Sequence, residues 1–174
     1  MGYFNPIYRM GCEAFAKAAK AAGVDGLITV DLPPEEEEEL RVPAKAAGLD
    51  IVRLIAPTTD DKRLPYVLEH ASGFLYYVSI AGVTGTASPT LDSIEAATAR
   101  VRRHTDLPLA VGFGIRTAEM AGAISRVADA AVIGSVVVER VAANLDAMGR
   151  AKPGLVEDVL ALVKDLSNGV RSKT

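Results

Sequence analysis

Three short glycine-bearing segments have the residue types and spacing to hold an anion: Gly82-Val-Thr-Gly85, Gly112-Phe-Gly114 and Gly134-Ser135. Each follows an apolar run of strand length. Glycine in such a corner permits positive φ, and the missing β-carbon lets backbone N–H groups approach a negative group closely. The residues after Gly134 open a helical pattern, and a helix N-terminus adds a field that favours negative charge. Ser135 brings a hydroxyl donor to the same corner. One glycine in a strand-to-helix loop is most often only a tight turn. Three in order, the last two after successive strands, match a phosphate site at the C-terminal ends of parallel strands.

Other reactive groups are few. The histidines, His70 and His104, stand near predicted helix ends and far from any strand end, where solvated or capping roles suit them; they assemble no metal triad. No lysine lies on or just after a strand to form a Schiff base, and Lys62, the nearest, reads as exposed in a first helical turn. Among carboxylates on the same side, Asp60 and Asp61 read as helix caps, and Asp31 as a structural acceptor with general base as the alternative. Cys12 opens a helical pattern and reads as a packing residue. Being the sole cysteine, it excludes an intrachain disulfide and suits a reducing compartment.

The elements that must position these corners alternate in kind. A helix over Cys12 to Ala22 puts Phe15, Ala18, Ala19 and Ala22 on one face and stops at Gly23. A strand at Gly26 to Val30, a turn at Asp31 to Pro34 and a helix opening on Glu35 to Glu39 follow. The glutamates suit a helix N-terminus with a solvated face, and Pro43 is expected to kink or end that helix. Next come a strand at Ile51 to Ile55, a helix to about His70, and a strand at Phe74 to Val78. After the loop from Ser79 to Pro89, the spacing predicts a helix over Leu91 to Arg103. Strands at Leu109 to Val111 and Ala130 to Ile133 flank a helix over Thr117 to Val127. A last helix runs Gly154 to Leu166, with a frayed tail beyond.

The strands are continuous apolar runs, as when both faces are buried, and recur about every 20 to 35 residues, as in repeated right-handed βα units. A full TIM (β/α)8 barrel takes about 250 residues, so 174 residues hold five to six units. Five strands are clear, and Met1-Gly-Tyr3 adds a possible strand end. The expectation is an α/β chain of one domain, residues 1–174: a truncated barrel lacking its first units. Such a barrel would leave the strand at Gly26 to Val30 with an uncovered neighbour and favour self-association.

Composition agrees with a soluble, cytoplasmic, globular protein: 49% hydrophobic and 24% charged residues are too apolar for disorder. A net charge of −3 without a Lys/Arg cluster gives nucleic acid nothing to hold. The N-terminus carries no signal-peptide pattern, and no apolar stretch approaches a membrane span.

Read together, the corners and several longer segments resemble the tryptophan synthase α subunit, from Met1 to about Leu166. The segments are Met1-Gly-Tyr-Phe-Asn-Pro-Ile7, Gly23-Val-Asp-Gly-Leu-Ile-Thr-Val-Asp-Leu-Pro-Pro-Glu35, Ala56-Pro-Thr-Thr-Asp-Asp-Lys-Arg-Leu64, Tyr76-Tyr-Val-Ser-Ile-Ala-Gly-Val-Thr-Gly85, Leu109-Ala-Val-Gly-Phe-Gly-Ile115 and Val132-Ile-Gly-Ser-Val136. Other phosphate-binding barrels share the Gly-Phe-Gly and Gly-Ser turns. The Asn-Pro-Ile segment and the Ser-Ile-Ala-Gly-Val-Thr-Gly loop are more specific.

The resemblance implies a TIM barrel that cleaves indole-3-glycerol phosphate to indole and glyceraldehyde 3-phosphate by a retro-aldol reaction. It implies an αββα complex in which indole passes to a PLP-dependent β subunit; the α chain itself takes no cofactor. It places Gly85, Gly112, Phe113, Gly114, Gly134 and Ser135 around the substrate phosphate, and Tyr3, Leu54 and Tyr76 along the indole and glycerol pocket. Thr84 falls in a loop that closes the site, and Asn5 and Pro6 face the β subunit. The family's proton-transferring glutamate and aspartate have no counterpart in these residues and would precede Met1, so no catalytic residue is carried over, and the chain alone is expected to be inactive. Two other readings stand beside this one. An Amadori-type isomerase would want a second phosphate site and an acid–base pair at strand ends, and this chain shows only one such site. A catalytically dead chain would serve only as an interaction module for a β-type subunit, and titration against a β subunit with β activity as readout would separate it from the first reading.

Overall fold

The computed structural model describes residues 1–79, 90–112 and 114–172. Two compact units divide the chain: Met1–Tyr77 with Arg100–Leu109, and Val78–Ala99 with Ala110–Thr174.

The first unit opens with Gly2 extended beside β1 (Gly26–Leu27): its N–H donates to Ile28 O at 2.9 Å and its carbonyl accepts from Val30 N–H at 3.0 Å. Helix α1 (Phe4–Met10) follows at once. Sequence periodicity gives no warning of it. Its start depends on Asp31, 27 residues away, whose Oδ1 accepts the Phe4 N–H at 2.7 Å. Pro6 fits because a first-turn residue has no intrahelical acceptor for an N–H. Gly11, at φ 89°, separates α1 from α2 (Cys12–Ala21). The face of α2 that packs inward carries Cys12, Ala16 and Ala19, whereas Ala18 and Ala22, expected there, are exposed.

The glutamate run divides between a 3-10 turn (Pro34–Glu36) and helix α3 (Glu38–Ala46). Pro43 does not end α3. Four glutamates are exposed as expected, but Glu37 is buried at 3% exposure. It pairs with Arg41 at 3.2 Å and with Arg53 on β3. That contact answers why an arginine stands in the apolar run Ile51-Val-Arg-Leu-Ile55: a buried charge requires a partner.

The predicted strand at 51–55 is two short segments, β2 (Asp50–Ile51) and β3 (Arg53–Ile55), because the chain changes neighbour at Val52. β2 pairs in parallel with β1, and β3 with β4 (Leu75–Val78). Gly2 bridges to Thr29, two residues past the end of β1, and β1 itself pairs with β2. Helix α4 (Leu64–Leu68) lies between β3 and β4. Ile7, Cys12, Ala16, Leu40, Ala44 and Ile51 belong to the core of this unit, with Phe4, Phe15 and Leu32 packed on it.

Strand β4, helix α5 (Leu91–Arg102) and strand β5 (Leu109–Gly112) each pass from one unit into the other. Within the first unit Leu75 N–H donates to Pro108 O at 2.8 Å; within the second Ser79 N–H donates to Gly112 O at 3.1 Å. In the second unit β5 pairs in parallel with β6 (Ala130–Val132). Helix α6 (Ala118–Val127) is capped by Thr117, whose hydroxyl accepts from Met120 N–H. Helices α7 (Ser135–Ala143) and α8 (Leu155–Arg171) complete it. The tail expected to fray after Leu166 is helical to Arg171, since α8 packs along α6 and Ser125 Oγ, which donates to Gly122 O, also reaches Val170 O.

Candidate functional site

In the second unit the β5–β6 register decides where two of the glycine corners fall. Gly112 stands opposite Val132, so Gly114 and Gly134 each follow a paired position by two residues. Both corners therefore leave adjacent parallel strands at the same level. Gly114 has φ 62°, a conformation an L side chain resists. The Gly112 carbonyl accepts both the N–H and the Oγ of Ser79, which fixes the end of β5.

Helix α7 begins at the second corner with Gly134 as N-cap and no side chain capping it. Val137 and Val138 both donate their N–H to Gly134 O, at 3.0 and 3.2 Å. Ser135 and Val136 hold the first two helical positions, whose N–H groups have no intrahelical acceptor. Gly114, Gly134 and Ser135 are exposed, so these donors meet solvent at a helix end of partial positive charge. Arg116, two residues past Gly114, forms a two-pronged pair with Glu139 of α7, with Nη1 to Oε1 at 3.0 Å and Nη2 to Oε2. The arginine holds the Glu139 carboxyl below its ordinary range, mainly through this hydrogen bonding. Gly85, Thr84 and Phe113 lie outside the described residues.

In the first unit Leu54 stands opposite Tyr76 in the β3–β4 register, and both are half-buried. Their neighbours Arg53, Ile55, Leu75 and Tyr77 point to the other face and are buried. Leu54 contributes to a cleft of about 320 Å³ at the C-terminal ends of β1 and β3, with Val30, Asp31, Thr59 and Arg63. Tyr3 is 66% exposed, and Asn5 and Pro6 are exposed in the first turn of α1.

The sequence model of the tryptophan synthase alpha chain family matches residues 1–169. The chain belongs to that family. It is similar to tryptophan synthase subunit alpha from Legionella pneumophila str. Paris, at 34% identity and a TM-score of 0.84 over 98% of this chain. A second alpha-chain structure, from Legionella pneumophila subsp. pneumophila, matches at 35% identity and a TM-score of 0.85 over 99%. A Mycobacterium tuberculosis tryptophan synthase matches at 35% identity and a TM-score of 0.83 over 97%. The chain spans 61%, 62% and 60% of the lengths of those chains. The fold class is accordingly that of the family's (β/α) barrel, of which these residues carry part.

Against that family, the remaining candidates resolve simply. Asp31 is occupied by the Phe4 N–H, the structural role expected of it. Asp60 accepts from the N–H groups of Lys62 and Arg63 at 3.1 and 2.8 Å and so closes the turn ahead of α4; it is not the cap of that helix, a position Arg63 holds. Asp61 is not a cap: it faces Arg100 at 3.5 Å and His104 at 3.7 Å. Arg100 also donates to Thr59 O at 2.7 Å and so holds the loop that lines the cleft. His70 is exposed, and among the described residues no group of His, Cys, Asp and Glu could hold a metal. Among the described residues no helix is long and apolar enough to cross a membrane.

Two arginines escaped the sequence reading. Arg63 lines the cleft and is held in a two-pronged pair with Glu35, at 2.7 and 3.1 Å. Arg116 stands beside the glycine corners. The usable clue for Arg116 was its spacing, two residues past Gly114, together with Glu139 one helical turn after Ser135.

Proposed function

We propose that these residues supply the phosphate-holding part of the family's reaction, retro-aldol cleavage of indole-3-glycerol phosphate to indole and glyceraldehyde 3-phosphate. The observation that carries the reading is the Gly112–Val132 pairing, which sets the Gly114 and Gly134-Ser135 corners side by side with exposed donors. Gly112, Gly114, Gly134 and Ser135, with Gly85 and Phe113, are the proposed phosphate contacts. The unpaired N–H groups at the start of α7 and the Ser135 hydroxyl donate to the anion, and the helix end stabilises its charge. Tyr3, Leu54 and Tyr76 take the family's role of lining the apolar portion, and Thr84 that of loop closure. Asn5 and Pro6, exposed on α1, take the role of facing a β subunit.

The chemistry that remains is binding and orientation. Breaking the carbon–carbon bond requires a proton donor and acceptor at the glycerol hydroxyl and the indole ring, and nothing in these residues matches the family's glutamate and aspartate. Loss of each such role lowers a rate by something like 10² to 10⁴. The 174-residue chain is therefore expected to bind phosphate without turning over indole-3-glycerol phosphate.

The test is amide-resolved NMR of the isotopically labelled chain titrated with inorganic phosphate, beside an assay of indole-3-glycerol phosphate cleavage. Saturable shifts at the amides of Gly112, Gly114, Ser135 and Val136, with no cleavage, are expected. Absence of saturable shifts at those amides overturns the phosphate reading, and family-typical turnover by this chain overturns the assignment of catalysis to other residues. Titration of a β subunit with the chain, with β activity as readout, tests the partner.

A further inference from the structure

We infer that Arg116 sets the anion affinity of the α7 corner and that Glu139 competes with the anion for it. This rests on the phosphate reading above and goes further, since neither residue belongs to the glycine corners themselves. Arg116 stands in the short link between Gly114 and the Thr117 cap of α6. Glu139 is four residues after Ser135 on α7, so the two side chains share one face of the helix. Helical side chains lean toward the N-terminus, which brings the Glu139 carboxylate, and the Arg116 guanidinium gripping it, over the turn where Ser135 and Val136 present their N–H groups.

A negative carboxylate near an anion site opposes binding; a guanidinium favours it. Both side chains are 54% exposed, so the pair is screened and loosely held, and its exchange for another anion is easy. A phosphate offers the same two-pronged acceptor geometry to the guanidinium that the Glu139 carboxylate does. The pair is thus a self-neutralised gate whose cationic half becomes available as an anion arrives. If it were only a brace between the corners, removing either partner would loosen the site alike. Competition predicts opposite signs for the two partners.

The experiment is the same inorganic phosphate titration, read at the Gly114 and Ser135 amides, for the unaltered chain, Arg116→Gln, Glu139→Gln and the double variant, at low and high salt. Two unit charges several ångströms apart in water interact by enough for about a threefold change in affinity. Glu139→Gln is expected to bind phosphate about threefold more tightly, Arg116→Gln about threefold more weakly, and both differences are expected to shrink in high salt. The double variant should lose the gain of Glu139→Gln, since no arginine remains to be released. If both single variants weaken binding equally, or neither changes it while the unaltered chain binds, the inference is overturned and the phosphate site stands. If neither the unaltered chain nor Glu139→Gln binds phosphate, both fall together.

Discussion

A β-carbon placed on Gly122 would stand 2.7 Å from the carbonyl oxygen of Gly169, so α6 and α8 meet there backbone against backbone. This contact decides the sign of a substitution that helix propensity alone would get wrong. Alanine is better than glycine inside a helix by up to about 1 kcal/mol. Here the added methyl meets backbone, which cannot swing aside as a flexible side chain could, and overpacking of that kind costs about 1 to 3 kcal/mol. Gly122→Ala should lower unfolding stability on balance, seen as a lower urea midpoint with unchanged slope. A higher midpoint would show that the two helices separate without cost.

The Glu37–Arg53 pair makes a second stability prediction. Their side chains are 4% and 8% exposed, and burial pushes the Arg53 guanidinium below its ordinary range. Removing the carboxylate charge in Glu37→Gln leaves two arginines, Arg41 and Arg53, without their shared counter-charge. Breaking a buried pair from one side costs about 3 to 5 kcal/mol, whereas replacing both members by apolar residues of similar volume is often near neutral. Equilibrium urea unfolding of Glu37→Gln beside the double variant Glu37→Leu, Arg53→Met should show the single change as the worse of the two. Equal losses would mean that the pair holds β3 through shape alone.

These cases also mark how far sequence reading reached. The corners at Gly114 and at Gly134-Ser135 and the places of the strands were legible because each is set by neighbours in sequence, an apolar run and then residues that tolerate a corner. The length of β1 and the break at Val52, set by strand partners, were not. The elements that escaped are set by distant partners. Helix α1 starts because Asp31 accepts the Phe4 N–H from 27 residues away. Glu37 looked like one solvated glutamate in five because its reason for burial, Arg53, belongs to another element. The extension of α8 past Leu166 rests on its packing along α6 and the fit of Gly169 there, which periodicity cannot show.

Cys12 gives a kinetic prediction. It is 7% exposed, and burial, with a smaller contribution from the Glu39 carboxylate, raises its thiol above the ordinary range. The thiolate is the reactive form, so both burial and the raised value protect it. Modification by a soluble disulfide reagent near pH 8 should be more than about tenfold slower in buffer than in denaturing urea, because it awaits local opening. Equal rates in the two solvents would contradict a packing role for this residue.

Asp158 gives a pH dependence whose sign can be worked out. It accepts from Asn144 Nδ2 at 2.7 Å and from Arg140 at 2.9 Å, which ties the end of α7 to the first turn of α8. These contacts, the Asn144 hydrogen bond foremost, hold its carboxyl below the ordinary range. A carboxyl lowered by folding binds its proton more readily in the unfolded chain. Its contribution to stability is therefore present above the ordinary carboxylate range, about pH 4, and is lost as pH falls through the lowered folded value. Asp158→Asn should accordingly be less stable than the unaltered chain at pH 7, with the gap in urea midpoint closing as pH falls below the ordinary carboxylate range and through the lowered folded value. A gap that persists undiminished into acid would show that Asp158 acts through shape or neutral hydrogen bonding, with its charge contributing nothing.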